Sequence, residues 1–156
     1  MIRRILASIV FLGVLLETDA GSAAFPQPEE RENSAAQRNG ITPGAAKEIF
    51  SSVQQGMVSG SVSSFARHFG SELYISLPGE VAGHYSASQA YYLIDEYLRS
   101  YRITNLQFST IRESDANPYA TGSATAMAKA AQGRIQVYIS LSSSVDRWVI
   151  AQINIY

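Results

Sequence analysis

Residues 119–130 read Tyr-Ala-Thr-Gly-Ser-Ala-Thr-Ala-Met-Ala-Lys-Ala. Strict alternation puts Ala120, Gly122, Ala124, Ala126, Ala128 and Ala130 on one side, and Tyr119, Thr121, Ser123, Thr125, Met127 and Lys129 on the other. A period of two is the mark of a β-strand. Alanine alone would favour a helix, but Thr121, Gly122, Ser123 and Thr125 argue against one. A strand face that ends at Cβ lets another element come close. The stretch therefore predicts a seat for a helix, or the curved wall of a cavity.

Working outward, Gln132-Gly133 has turn chemistry and predicts a hairpin into a second strand, Arg134–Ser142. There Ile135, Val137, Ile139 and Leu141 alternate toward the core. The polar run Ser142-Ser143-Ser144 with Asp146 leads into a third strand, Arg147–Ile155. Alternation assigns Val149, Ala151, Ile153 and Ile155 to one face, and Trp148, Ile150, Gln152 and Asn154 to the other. Short loops make these strands antiparallel neighbours.

Upstream, Thr42 as N-cap and Pro43 at the first helical position open a helix whose face is Ile49, Phe50, Val53 and Met57, stopped by Gly60. Val62, Phe65 and Phe69 predict a short second helix ended by Gly70. Leu73–Leu77 alternates as a strand, and Pro78-Gly79 closes it with a turn. Ser86-Ala87-Ser88-Gln89 is a capping box and starts the best-marked helix, running to about Tyr101. Its apolar stripe is Ala90, Leu93, Ile94, Tyr97, Leu98 and Tyr101. Ile103–Arg112 follows as a strand carrying Leu106 and Phe108 on one side, and Asp115, Asn117 and Pro118 turn the chain into the alanine-faced strand. Helices gathered on one face of an antiparallel sheet make an α+β layer arrangement.

The chain has 156 residues, enough for one domain, and a formal net charge of −1. That balance excludes a nucleic-acid groove, which needs clustered Lys and Arg. With no cysteine, disulfides, thiolate catalysis and Cys-based metal sites are excluded. His68 and His84 are the only imidazoles, and they form no metal motif. No cofactor is expected.

Residues 1–24 read as a secretory signal peptide: Arg3-Arg4, an apolar run from Ile5 to Leu16, and small residues Ser22-Ala23-Ala24 at a cleavage site. The apolar run is too short to span a hydrocarbon core of about 30 Å. The expectation is export to the periplasm or medium after cleavage near Ala24, with no stable membrane anchor left. Residues 25–40 are polar and read as a disordered spacer. Residues 41–156 form the domain.

Gly83-His84-Tyr85-Ser86-Ala87-Ser88-Gln89-Ala90, Tyr119-Ala120-Thr121-Gly122 and Arg134-Ile135-Gln136-Val137-Tyr138-Ile139 resemble a family of secreted domains known as DUF4783. That family is similar to the NTF2-like superfamily, whose cone-shaped α+β fold wraps a curved antiparallel sheet around a long helix, with further N-terminal helices. The resemblance spans Thr42 to Tyr156. It implies fold, export and the possibility of a pocket, and it carries no catalytic residues over. Tyr97-Leu98 stands where the family commonly has an aromatic pair, and Met127–Gln132 is more alanine-rich.

The tyrosines are the best remaining lead to function, since a tyrosine joins a large apolar ring to one hydroxyl. Tyr85, Gln89, Tyr92, Tyr97, Tyr119 and Tyr138 are the candidate ligand-binding residues. Each has a plainer explanation. Tyr85 would staple the start of the long helix, Gln89 would cap it, and the other rings would fill a wide gap between helix and sheet. His84 reads as a loop residue or as an acid–base group at a pocket mouth. Asp95 and Glu96 read as the solvated side of the helix.

Three functions compete. The preferred one is an exported non-catalytic domain that binds a small apolar ligand or a protein partner. The alternative is an enzyme like ketosteroid isomerases or cyclases, which some NTF2-like proteins are, with Asp95 or His84 working beside Tyr138. The third is assembly, with Tyr138, Trp148, Ile150 and Gln152 forming an outer-face patch that pairs two copies into a homodimer.

Overall fold

The computed structural model describes residues 42, 44–79, 81–113, 116–128 and 131–156. The expected signal peptide, its cleavage site near Ala24, the spacer, Pro43 at N1, the turn residue Asp115 and the Lys129-Ala130 end of the alanine-faced stretch lie outside the described residues.

Among the described residues, three helices and six strands follow one another: α1 (Ala45–Ser59), α2 (Ser63–Ala66), β1 (Phe69–Leu77), β2 (Val81–Ser86), α3 (Ala87–Ser100), β3 (Arg102–Arg112), β4 (Tyr119–Ala128), β5 (Ala131–Ser144) and β6 (Arg147–Ile155). All strands belong to one sheet of order β2-β1-β6-β5-β4-β3. Successive strands joined by short loops pair antiparallel, β1 and β6 pair in parallel, and β2 and β3 stand at opposite edges. The fold is the expected α+β layering: a hairpin and a four-strand meander share one sheet, and α3 joins them.

The core lies on one side of the sheet. Ile49, Phe50, Val53 and Met57 of α1, with Ala90, Ile94, Tyr97 and Leu98 of α3, form one apolar cluster with the inward residues of the strands. On β5 the burial alternates as expected, with Ile135, Val137, Ile139 and Leu141 inside. On β4, Ala120, Gly122, Ala124 and Ala126 are the buried set. That confirms the strand reading of the alanine stretch. Its seat is different from the expected one, however. α3 lies over β1 and β2 and reaches β3, whereas α1 lies over β3 and β6. The need for glycine at position 122 comes from within the sheet. A methyl group at Gly122 would sit 2.0 Å from the Gln107 carbonyl oxygen of β3, where that strand bulges.

α3 begins as the capping box predicts. The Ser86 hydroxyl accepts from Gln89 N at 3.4 Å, and Gln89 Oε1 accepts from Ser86 N at 3.1 Å. α1 departs from expectation: its N-cap is Gly44, in the left-handed conformation, not Thr42. The Thr42 carbonyl instead accepts from Ala45 N at 3.1 Å, closing a turn before the helix. Gly60 is the C-cap, as expected. Gly56 lets α2 cross close to α1, since a Cβ there would meet the Phe65 ring at 2.4 Å.

Several boundaries move for tertiary reasons. Phe69 and Gly70 are not helical; β1 begins at Phe69, drawn into the sheet by pairing with Ile150 of β6. Val81–Ser86 is a strand, so His84 and Tyr85 do not lie in a loop. Its alternation is weak because Ala82 and Gly83 carry little side chain, but β1 supplies a complete antiparallel partner. Gln132 and Gly133 are not the turn; they pair with Met127 and Ala126 inside the β4–β5 ladder.

The largest correction concerns β6. Gln152 pairs with Ser140 and Ile150 with Leu141, so Ala151 is an extra residue and the strand bulges. One inserted residue reverses the facing of everything before it. Ile150 is fully buried in the core, and Trp148 packs against the same cluster. Neither lies on the outer face. Val149 turns to the outer side, beside Gly70.

Candidate functional site

The sheet face turned away from the helices carries Tyr119 and Tyr138 of the six candidates, together with His84 and Gln152. Register places one residue from each strand in a transverse row: His84, Tyr74, Gln152, Ser140, Tyr119 and Arg112. The next row holds Ser76, Asn154, Tyr138 and Thr121. The rings pair across strands. Tyr119 and Tyr138 stack with centroids 5.9 Å apart, and Tyr74 meets His84 edge-on at 5.3 Å. His84 Nδ1 also lies 3.0 Å from the Glu72 carboxylate, with both side chains exposed. Asn154 Oδ1 is buried on this face and accepts no hydrogen bond from the described residues.

A second site forms at the other side of the sheet. A cleft of about 360 Å³ is lined by Thr42, Ala45, Glu48 and Ile49 from the start of α1, Arg67 and His68 after α2, and Asp146, Arg147 and Trp148 from the β5–β6 turn. Backbone bonding holds these segments together, since Ile150 N donates to the His68 carbonyl at 2.6 Å. Arg67 Nε donates to His68 Nε2 at 3.0 Å. Burial holds the His68 pKa below its ordinary value, and the Arg67 and Arg147 guanidiniums lower it further against a smaller opposing pull from Glu48. The imidazole is thus kept neutral, with Nε2 as an acceptor.

The six candidate residues divide among different places. Tyr119 and Tyr138 share the outer face. Tyr85 pairs with Leu73 on the inner face and packs against the core. Tyr97 is buried in α3 and stacks on Tyr101 at 4.9 Å. Burial pushes its pKa up to about 12, with a further rise from Tyr101. Gln89 is engaged in the capping box, and Tyr92 is 71% exposed on the far side of α3.

The acid–base candidates are also apart. Asp95 lies on α3 and pairs with Arg99 at 2.8 Å. His84 and Tyr138 are on the opposite side of the sheet, on strands separated by β1 and β6. Three strand spacings put them about 14 Å apart. Among the described residues no group of three or more His, Asp or Glu side chains comes together as a metal site would require. Among those residues, too, no helix is long and apolar enough to cross a membrane.

Tyr74 was legible in the sequence, since Leu73, Ile75 and Leu77 face inward and Tyr74 must face out. The cleft was not: its lining comes from three segments far apart in the chain.

Comparison with known proteins bears on the fold. The chain is similar to a DUF4783 family protein from Bacteroides ovatus, with a TM-score of 0.56 and 15% identity, covering 67% of this chain and 90% of that one. It is similar to another from Bacteroides fragilis, with a TM-score of 0.57 and 12% identity over 67% and 93% of the two chains. An NTF-2 like protein of unknown function from Shewanella oneidensis matches with a TM-score of 0.51 and 10% identity over 69% and 93%. No curated protein matches the sequence. The family model for a domain of unknown function, DUF4783, matches residues 50–156, from within α1 to the C-terminal Tyr156, and the chain belongs to that family.

Proposed function

We propose that the chain is an exported, non-catalytic binding domain, and that the face of the sheet turned away from the helices is its protein-recognition surface. The observation that carries this is the arrangement of rings on that face: the Tyr119–Tyr138 stack and the Tyr74–His84 pair, set among Ser140, Gln152 and Thr121. Rigid rings that each carry a polar tip suit a protein interface. The residues named for the enzyme reading do not meet: Asp95 lies on α3, while His84 and Tyr138 stand on strands separated by β1 and β6.

The partner that fits is a second copy of the chain. The transverse row ends in His84, held by Glu72, on the β2 side and in Arg112 on the β3 side. A two-fold axis parallel to the strands, between Gln152 and Ser140, sets the Glu72 carboxylate near the second copy's Arg112. The same axis places Tyr74 opposite the second copy's Tyr119. Opposite charge at the two ends of one face makes that face complementary to itself. Export rests on the sequence of residues 1–24.

Sedimentation velocity of the purified protein is the test. A dimer is expected whose association weakens by about 100-fold in Tyr138→Glu, because a carboxylate is then buried without a partner in two symmetric places. A monomer at the highest attainable concentration, or a dimer indifferent to Tyr138→Glu and Tyr119→Glu, defeats the proposal.

A further inference from the structure

The cleft between the start of α1, the α2–β1 junction and the β5–β6 turn is separate from the outer sheet face. Its composition is specific. Trp148 supplies a half-buried indole beside the apolar wall of Ile49. Around it stand two guanidiniums, Arg67 and Arg147, and two carboxylates, Glu48 and Asp146. His68 is neutral, so these charges cancel. Among the described residues none of the four forms an ion pair within 4.0 Å, although all four line one cleft. Apart from Arg67 Nε, which donates to His68 Nε2, their donors and acceptors remain available to a ligand.

An anion would be drawn by the arginines but repelled by the carboxylates. A purely apolar ligand would leave the four charged groups around the indole without a polar partner in the ligand. A neutral ligand with many hydroxyls avoids both penalties. Each hydroxyl both donates and accepts, so adjacent pairs of them satisfy planar guanidinium and carboxylate groups alike. A flat ring of C–H bonds on the same ligand would lie on the indole. The volume, about 360 Å³, falls in the range of small-molecule sites and accommodates one or two sugar rings.

We infer that this cleft binds a neutral saccharide, stacked on Trp148 and hydrogen-bonded through Arg67, Arg147, Glu48 and Asp146. The site is independent of the sheet face and of the dimer.

Trp148 is the single tryptophan of the chain, so intrinsic fluorescence reports on this cleft without any mutation. The full-length protein is titrated with cellobiose, maltose and N,N′-diacetylchitobiose, and in parallel with digalacturonic acid and benzoate. The expected result is a saturable fluorescence change with at least one neutral disaccharide. Arg147→Ala and Arg67→Ala keep the fluorophore and are exposed, so they leave the core intact. Each is expected to weaken binding about tenfold, or about 1.4 kcal/mol. Calorimetry on Trp148→Ala should show loss of binding, and Trp148→Phe should restore part of it. No saturable response to any neutral disaccharide overturns the inference. So does a response to digalacturonic acid or benzoate alone, or binding that survives both arginine variants.

Discussion

Gly122 has no room for a methyl group. The Gln107 carbonyl oxygen, a backbone atom that cannot swing aside, occupies the space a Cβ would need. Gly122→Ala should therefore cost about 3 kcal/mol, at the upper end of overpacking penalties. A shift of the urea midpoint with unchanged slope is the expected reading, and a variant as stable as the parent contradicts the close approach. Tyr97 makes a different demand. Its phenol stays protonated to about pH 12 in the folded chain but ionises near 10.0 when unfolded. Below pH 10 both states hold the proton. Between about 10 and 12 only the folded one does, so stability falls as pH rises through that window. Urea midpoints at pH 9 and pH 11 should fall less in Tyr97→Phe than in the parent.

Among the elements, α3 has the most complete set of local instructions. Ser86 and Gln89 satisfy each other's backbone groups at its first turn, and Ala90, Ile94, Tyr97 and Leu98 give it a buried stripe. Ser86→Ala removes one half of the reciprocal cap and should cost about 1 kcal/mol by chemical denaturation. Substituting the neighbouring exposed Ser88 should cost much less. β2 stands at the other extreme. Val81–Ser86 has poor strand chemistry of its own and exists because β1 offers a matching ladder. This is why a reading of local pattern finds α3 and misses β2, although the two are adjacent in the chain.

For the whole molecule, the bulge at Ala151 decides which residues reach the core and which reach the outer face of the sheet. Simple alternation puts Ile150 beside Gln152 on the outer face. The bulge puts Ile150 opposite Leu141, with no exposed surface at all. Ile150→Ala should accordingly cost about 3 kcal/mol, as for other buried isoleucines, while Gln152→Ala should change stability little. Equal, small effects at both positions would favour plain alternation. The same bulge carries Trp148 to the helix side, where it lines the cleft with α1 and Arg67. The outer face is left to Tyr74, Tyr119 and Tyr138, and the proposed homodimer depends on them rather than on Trp148 and Ile150.

Local order in the chain was enough to establish the α+β layering, the alanine strand, the capped long helix and the inward faces of β1 and β5. Each of these follows from a period, a cap or a turn written within about a dozen residues. Tertiary structure alone decided the parallel β1–β6 pairing, the strand at Val81–Ser86, the facing of Trp148 and Ile150, and the cleft. Those depend on partners at long sequence separation and on one extra residue in a ladder. A single inserted residue reverses the facing of a strand without altering its composition, so the pattern of side chains along β6 could not reveal it.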